Sequence, residues 1–203
     1  MTSRARKAVG RPLDNELGRR ITDTAWKLLA DRSLASLTIS EIAECAGTSR
    51  PTIYRRWNTV EEIVIDAFLN VVEEAVLADA ASSAPDALHA YILSLGQFLG
   101  GRVGSVMAEI LGRAQNDPDL MERFHAEFLR KRRDNGRELV RRGQREGHFR
   151  ADLDSDLIID LYAGPLYFRA FAKHAPINDD FTHQLAELVL AAIVIPGTAT
   201  RIT

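Results

Sequence analysis

The sequence predicts an all-α protein of about nine helices in two domains, and three observations carry that reading. Apolar residues recur at three- and four-residue spacing along most of the chain, with no alternating strand pattern and no internal repeat. Serine, threonine and aspartate stand where helices would need N-caps. An Ala/Ser/Pro run at 80 to 85 divides a basic N-terminal part from an acidic remainder. Residues 1 to 60 carry 11 Lys/Arg against 6 Asp/Glu, and the rest carry 15 against 22.

In chain order, residues 1 to 14 form a basic arm with Arg4, Arg6, Lys7 and Arg11 and little that can pack, so it is expected to be disordered in the free protein. Such an arm can enter a DNA minor groove or add only general phosphate attraction, and Arg11 is its candidate contact. A first helix is predicted from about Asn15 to Ala30 on Leu17, Ile21, Ala25, Leu28 and Leu29, with Trp26 beside the stripe. Leu34 and Leu37 close the core behind it.

The most informative stretch is 38 to 57, two short helices about a tight turn. Thr38 and Glu41 make a capping box, and Leu37 with Ile42 a hydrophobic staple. Ile39, Ile42, Ala43 and Ala46 follow at helical spacing, and Gly47 suits a left-handed helix end. Ser49 is the next N-cap and Pro51 fits the first turn. Ile53 and Trp57 face inward, leaving Arg50, Thr52, Tyr54, Arg55 and Arg56 on the other faces. Guanidinium forks and hydroxyls on a short helix are what major-groove edges and phosphates accept.

A second capping box, Thr59 to Glu62, opens a helix with Ile63, Val64, Ala67, Phe68, Val71, Val72, Ala75 and Val76, reaching about Asp79. Five helices are predicted beyond it: about 85 to 99, stopped by Gly100 and Gly101; 103 to 114; 117 to 147, opened by Asp117 and Pro118; 154 to 174, kinked at Gly164 and Pro165; and 179 to 195, stopped by Pro196. The DNA-binding domain is thus 15 to 75, the second domain 80 to 196, and 197 to 203 a tail.

The segment IAECAGTSRPTIYRRW resembles the helix-turn-helix of TetR-family transcriptional regulators at Ile42, Ala43, Ala46, Gly47, Ser49, Thr52, Ile53, Tyr54 and Trp57. Read as a DNA-binding element, this stretch makes Thr38, Ser49, Arg50, Pro51, Thr52, Tyr54, Arg55 and Arg56 the candidate DNA contacts. One position departs from the pattern: Val60 stands where the family usually has a phosphate-contacting lysine, a contact that Arg55 or Arg56 would have to supply.

The last two helices carry more apolar surface than one small domain needs. Paired across a twofold axis they would make a four-helix bundle, as TetR-like regulators do. Leu166, Phe181, Leu185, Leu188, Val189 and Ala192 are the candidate interface. A dimer places two recognition helices on half-sites about 34 to 36 Å apart or a multiple, hence a palindromic double-stranded DNA operator. The resemblance also implies a pocket for a small-molecule effector among the middle helices, with Phe98, Met107, Ile110, Leu111, Phe124, Phe128 and Tyr162 as candidate lining; ordinary core packing is the competing role for each. The function expected is a homodimeric repressor released from its operator by that ligand. The alternative is a helical ligand-binding protein or enzyme whose basic face is only solvated.

Several features point away from other chemistry. There is no glycine-rich phosphate loop, nucleophile elbow or metal-ligand cluster, so no enzyme, cofactor or metal is expected. Cys45 is the one cysteine and reads as a small helix residue. The five histidines show no close ligand pair in sequence. The run Arg130 to Arg133, interspersed further on with Asp134, Glu138 and Glu146, reads as a solvated helix face rather than a second nucleic-acid patch. Apolar runs far short of a bilayer span, and a start without the apolar core of a signal peptide, predict a cytoplasmic protein without membrane contact.

Overall fold

The computed structural model describes residues 11–30, 32–73 and 82–196. The arm residues 1 to 10, the helix positions Ala75 and Val76, residues 80 and 81 of the interdomain run and the tail 197 to 203 lie outside the described residues. The chain divides into two compact units, Met1–Val72 and Glu73–Thr203. All described elements are helical apart from one isolated bridge, and no described helix is long and apolar enough to cross a membrane.

The first unit consists of α1 (Arg11–Leu28), a 3-10 turn (Leu34–Ser36), α2 (Ile39–Cys45), α3 (Arg50–Tyr54) and α4 (Val60–Glu73). α1 begins four residues before the predicted start, so the last arm residues are helical; the Arg11 side chain lies outside the described residues. The core is Ile21, Ala25, Ile42, Ala43, Ala46, Ile53, Trp57 and Ile63, with Val60 packed partly against it. Val60, at the family's lysine position, therefore contributes to packing. Two polar ties hold α4 in place: the Trp57 indole N–H donates to Asp66 at 2.6 Å, and the Asn70 amide donates to Thr22 Oγ1 at 3.0 Å.

The second unit holds α5 (Ala84–Gly100), α6 (Arg102–Ala114), α7 (Pro118–Phe124), a π turn (His125–Leu129), α8 (Arg130–Arg145), α9 (Ser155–Ala172) and α10 (Asp179–Ile193). The π turn joins α7 and α8 into one run, which gives nine helices among the described residues. Four starts carry side-chain caps: Ser83 accepts from the Asp86 N–H, Asp117 from Leu120, Asp154 from Asp156 and Leu157, and Asn178 from Phe181. Gly101 ends α5 and caps α6, and a Cβ at Gly104 would lie 2.1 Å from the Leu99 carbonyl oxygen, so only glycine permits so tight a corner.

The run after α6 differs from the sequence expectation. The helix predicted over 117 to 147 contains the π turn. Its wider spacing offsets the drift that a four-residue repeat accumulates on a 3.6-residue helix, so Phe128 and Arg132 both reach Phe98 of α5. α9 holds Pro165 inside a single helix, as the sequence expectation has it. Pro165 and Leu161, whose carbonyl loses its partner, are both exposed, so that carbonyl can turn to water.

The arginine run of α8 is matched by carboxylates. Arg133 bonds Asp156 at 2.6 Å and Asp160 at 2.7 Å, Arg137 bonds Asp134 and Asp156, and Arg145 bonds Glu138. The two guanidiniums hold the Asp156 carboxyl below its usual range. Behind α8, Phe149 is fully buried against Gly143 and bridges Val194, tying the end of α10 to the loop before α9.

Candidate nucleic-acid interface and internal cavity

The recognition segment is built from its caps outward. Thr38 Oγ1 accepts the Glu41 N–H at 3.2 Å and starts α2. The Glu41 carboxylate turns to Arg32 instead of returning to the Thr38 N–H, so only half of the predicted capping box forms. α2 ends in a Schellman motif at Gly47, φ +62°: the Gly47 N–H donates to Glu44 and the Thr48 N–H to Ala43. Ser49 then accepts the Thr52 N–H, and its hydroxyl lies 2.9 Å from that of Thr52. At the second box Glu62 bonds the Asn58 N–H, one residue before the cap, while Thr59 accepts the Glu62 N–H.

These ends fix how α3 is turned. Ile53 is fully buried and Trp57 nearly so, which anchors the segment to α1 and α4. Arg50, Pro51, Tyr54, Arg55 and Arg56 are exposed and Thr52 is half-buried. Tyr54 is 53% exposed. Arg50 makes a long contact of 3.5 Å to Ser40 of α2.

Arg56 behaves differently from Arg50 and Arg55. Its guanidinium carbon lies 5.0 Å from the centre of the Trp57 ring, and a Cβ at Gly18 would meet its Nη1 at 2.1 Å. Arg56 is thus folded back over α1, at a recess of about 300 Å³ lined also by Thr52 and Arg55. That places a cation at the α1–α3 seam. Gly18→Ala should push the guanidinium away without harming the fold, since the obstructed atom ends a flexible chain and alanine favours helix. The expected outcome is an unchanged or slightly raised thermal midpoint, with duplex affinity down severalfold and the salt slope reduced by about one, measured by anisotropy titration.

In the second unit, a cavity of about 40 Å³ lies between α5, the π turn, α8 and α9. Of the seven predicted lining residues, Phe98, Phe128 and Tyr162 border it. Met107, Ile110 and Phe124 are buried away from this cavity and Leu111 is half-buried elsewhere, because α6 and α7 turn their apolar faces into the core. Tyr91, Tyr167, Arg132 and Arg133 border it without having been predicted. The tyrosines sit within apolar stripes, and the arginines within a run that reads as solvated. Phe98 and Phe128 stack at 6.2 Å and 12°, with the Arg132 guanidinium 5.4 and 5.6 Å from their centres. Tyr91 and Tyr162 meet edge to face at 6.0 Å.

Burial raises all three phenols above their ordinary range, Tyr167 to about 12. The unfolded chain ionises them near 10.0. Their stabilising contribution is therefore complete below that pH and is lost as pH rises toward the folded values. The thermal midpoint should fall from about pH 10 upward, and Tyr162→Phe should blunt the fall.

The candidate interface residues divide. Leu166, Leu185 and Val189 are buried within the protomer, because α10 turns the 182, 185, 186, 189 and 193 side toward its own core. Phe181 is half-buried under the Arg169 guanidinium, and Leu188 and Ala192 are exposed. His89 and His183, far apart in sequence, lie with ring centres 5.5 Å apart, but no group of three or more metal-ligating side chains occurs among the described residues.

Residues 21–67 match the family described as bacterial regulatory proteins, tetR family, and residues 77–189 match the tetracyclin repressor-like C-terminal domain. The uncharacterized HTH-type transcriptional regulator YdeS of Bacillus subtilis is 31% identical over 177 residues, 87% of this chain and 89% of its own. Among solved structures, FadR of Bacillus subtilis in complex with stearoyl-CoA has a TM-score of 0.67 at 18% identity, covering 86% of this chain and 98% of that one. A Saccharomonospora viridis protein in complex with choline has a TM-score of 0.69 at 23% identity, covering 89% and 99%. The structural likenesses are of fold, whereas the matched segments fall on both units and the relative is similar along most of its length. With a capped recognition helix presenting arginine, threonine and tyrosine from a buried anchor, this chain belongs to the TetR family of DNA-binding transcriptional regulators.

Proposed function

We propose that the chain is a homodimeric repressor that holds a palindromic operator through α2 and α3 and is released from it by a small molecule bound in the second unit. The observation that carries the dimer is where apolar side chains meet solvent. Among the described residues the large exposed ones are Tyr54, on the recognition helix, and Leu157, Leu161, Phe168, Phe171 and Leu188, all on α9 and α10. Leu157, Leu161 and Phe168 follow one helical stripe, and an apolar set of this kind marks a protein interface. A twofold axis there would pair four helices and duplicate the recognition helix, which calls for two half-sites.

The cavity beside α5, α8 and α9 supports the ligand-released part of the reading, and two regulators of like fold hold small molecules. Release needs only that the ligand prefer a conformation in which the two recognition helices are wrongly spaced. It then weakens DNA binding by that preference and no more. A cytoplasmic location follows from the same role.

The test is selection from a random duplex pool, with Tyr54→Phe as control and two salt concentrations. Enrichment of a palindrome that the variant enriches less strongly is expected. Recovery of a single unrepeated site would remove the dimeric reading. Weak, steeply salt-dependent binding without enrichment would reduce the face to phosphate attraction.

A further inference from the structure

The cavity wall made by Leu95, Phe98, Phe128, Leu129 and Ile159 is apolar. The polar groups that border it are Tyr91, Tyr162, Tyr167, Arg132 and Arg133, and no carboxylate is among them. Arg133 points its guanidinium to Asp156 and Asp160 on α9. Arg132 reaches across the space, over the faces of Phe98 and Phe128. The buried phenols keep their protons at any physiological pH, so they can donate. A guanidinium and phenol O–H groups at the rim of an apolar, low-dielectric space complement an acceptor that carries negative charge.

The stacked aromatic pair by itself would suit a cationic ligand. That place is already taken, since Arg132 provides the cation over both rings. A second cation would have to sit beside the guanidinium. Size adds a further constraint. About 40 Å³ has room for little more than a water or two, well below the few hundred Å³ of a ligand pocket. An occupant must therefore displace a side chain, and Arg132, on a long flexible stem, is the one that can swing while its charge follows the ligand's.

We propose that this cavity takes an organic monoanion with a flat apolar body: the body enters between Phe98, Phe128 and Ile159 as Arg132 leaves the rings, and the anionic group is held by Arg132 and the Tyr167 hydroxyl. The inference rests on the ligand-released reading above for its regulatory meaning and names the ligand class of that site.

The test uses the full chain with 2-naphthoate, its uncharged isostere 2-naphthamide, and choline, read by calorimetric titration and thermal midpoint. Naphthoate should bind and raise the midpoint, with naphthamide at least tenfold weaker and choline without effect. Arg132→Gln should weaken naphthoate tenfold or more and leave naphthamide unchanged. Tyr167→Phe, which keeps the ring, should weaken naphthoate severalfold and serves if the arginine variant does not fold. Equal binding of acid and amide, a choline-induced rise, or no naphthoate binding at millimolar concentration would overturn the assignment. Operator release is scored separately. Naphthoate that binds through Arg132 without releasing DNA leaves this inference standing and removes ligand-released repression. Release by a compound indifferent to Arg132→Gln does the reverse.

Discussion

Arg50→Ala is expected to lower affinity for the selected operator by about ten- to a hundredfold, the 1–3 kcal/mol typical of a lost base-edge contact. Arg50 is the first residue of α3 and is exposed, with a single long contact to Ser40. Removing it should leave the thermal midpoint within experimental error, because nothing buried depends on it. The loss should be specific: affinity for a scrambled duplex changes little, and the salt slope stays nearly constant. Arg55→Ala should show the opposite signature, a similar loss on both duplexes and a slope smaller by about one, as expected for a phosphate contact. Tyr54→Phe removes only a hydroxyl and should fall between wild type and Arg50→Ala. Titrations of all three on operator and scrambled DNA at two salt concentrations decide the matter. If Arg50→Ala and Tyr54→Phe both bind the operator as wild type does, α3 is not the reading element.

The helix-turn-helix was legible in the sequence because its determinants are local. A cap needs its acceptor and donor three residues apart, Gly47 needs only its own φ, and the Ile53/Trp57 anchor is one helical turn. Even there, one partner was out of view: Glu41 goes to Arg32, nine residues back, rather than to its own cap. The cavity was barely legible. Tyr91, Arg132 and Tyr167 come from three helices, and each alone reads as stripe or solvated surface. Their convergence depends on how α5, α8 and α9 cross, and on a π turn with no marker in the sequence. Periodicity identified the apolar side of α10 but could not divide it between the protomer's own core and an outer partner. That division is set by the angle at which α5 and α9 meet the helix.

The same division makes neighbouring residues on α10 an unusually sharp test. Leu188 is 68% exposed and Val189 is 1% exposed. Val189→Arg forces a guanidinium into the packed side of the helix, at a cost of several kcal/mol out of a total stability of about 5–15 kcal/mol, so the protomer should fail to accumulate in folded form. Leu188→Arg puts the same group where the protomer alone has solvent. It should fold with a normal helical spectrum and unfold cooperatively, but sediment as a monomer at concentrations where wild type is a dimer, because two arginines would face the apolar stripe across the axis. Losing the dimer should also cost operator affinity, since one recognition helix cannot use both half-sites. A Leu188→Arg protein that remains a stable dimer would show that the exposed stripe on α9 and α10 serves something other than self-association. A Val189→Arg protein that is folded and monomeric would show that α10 presents its opposite side to the partner.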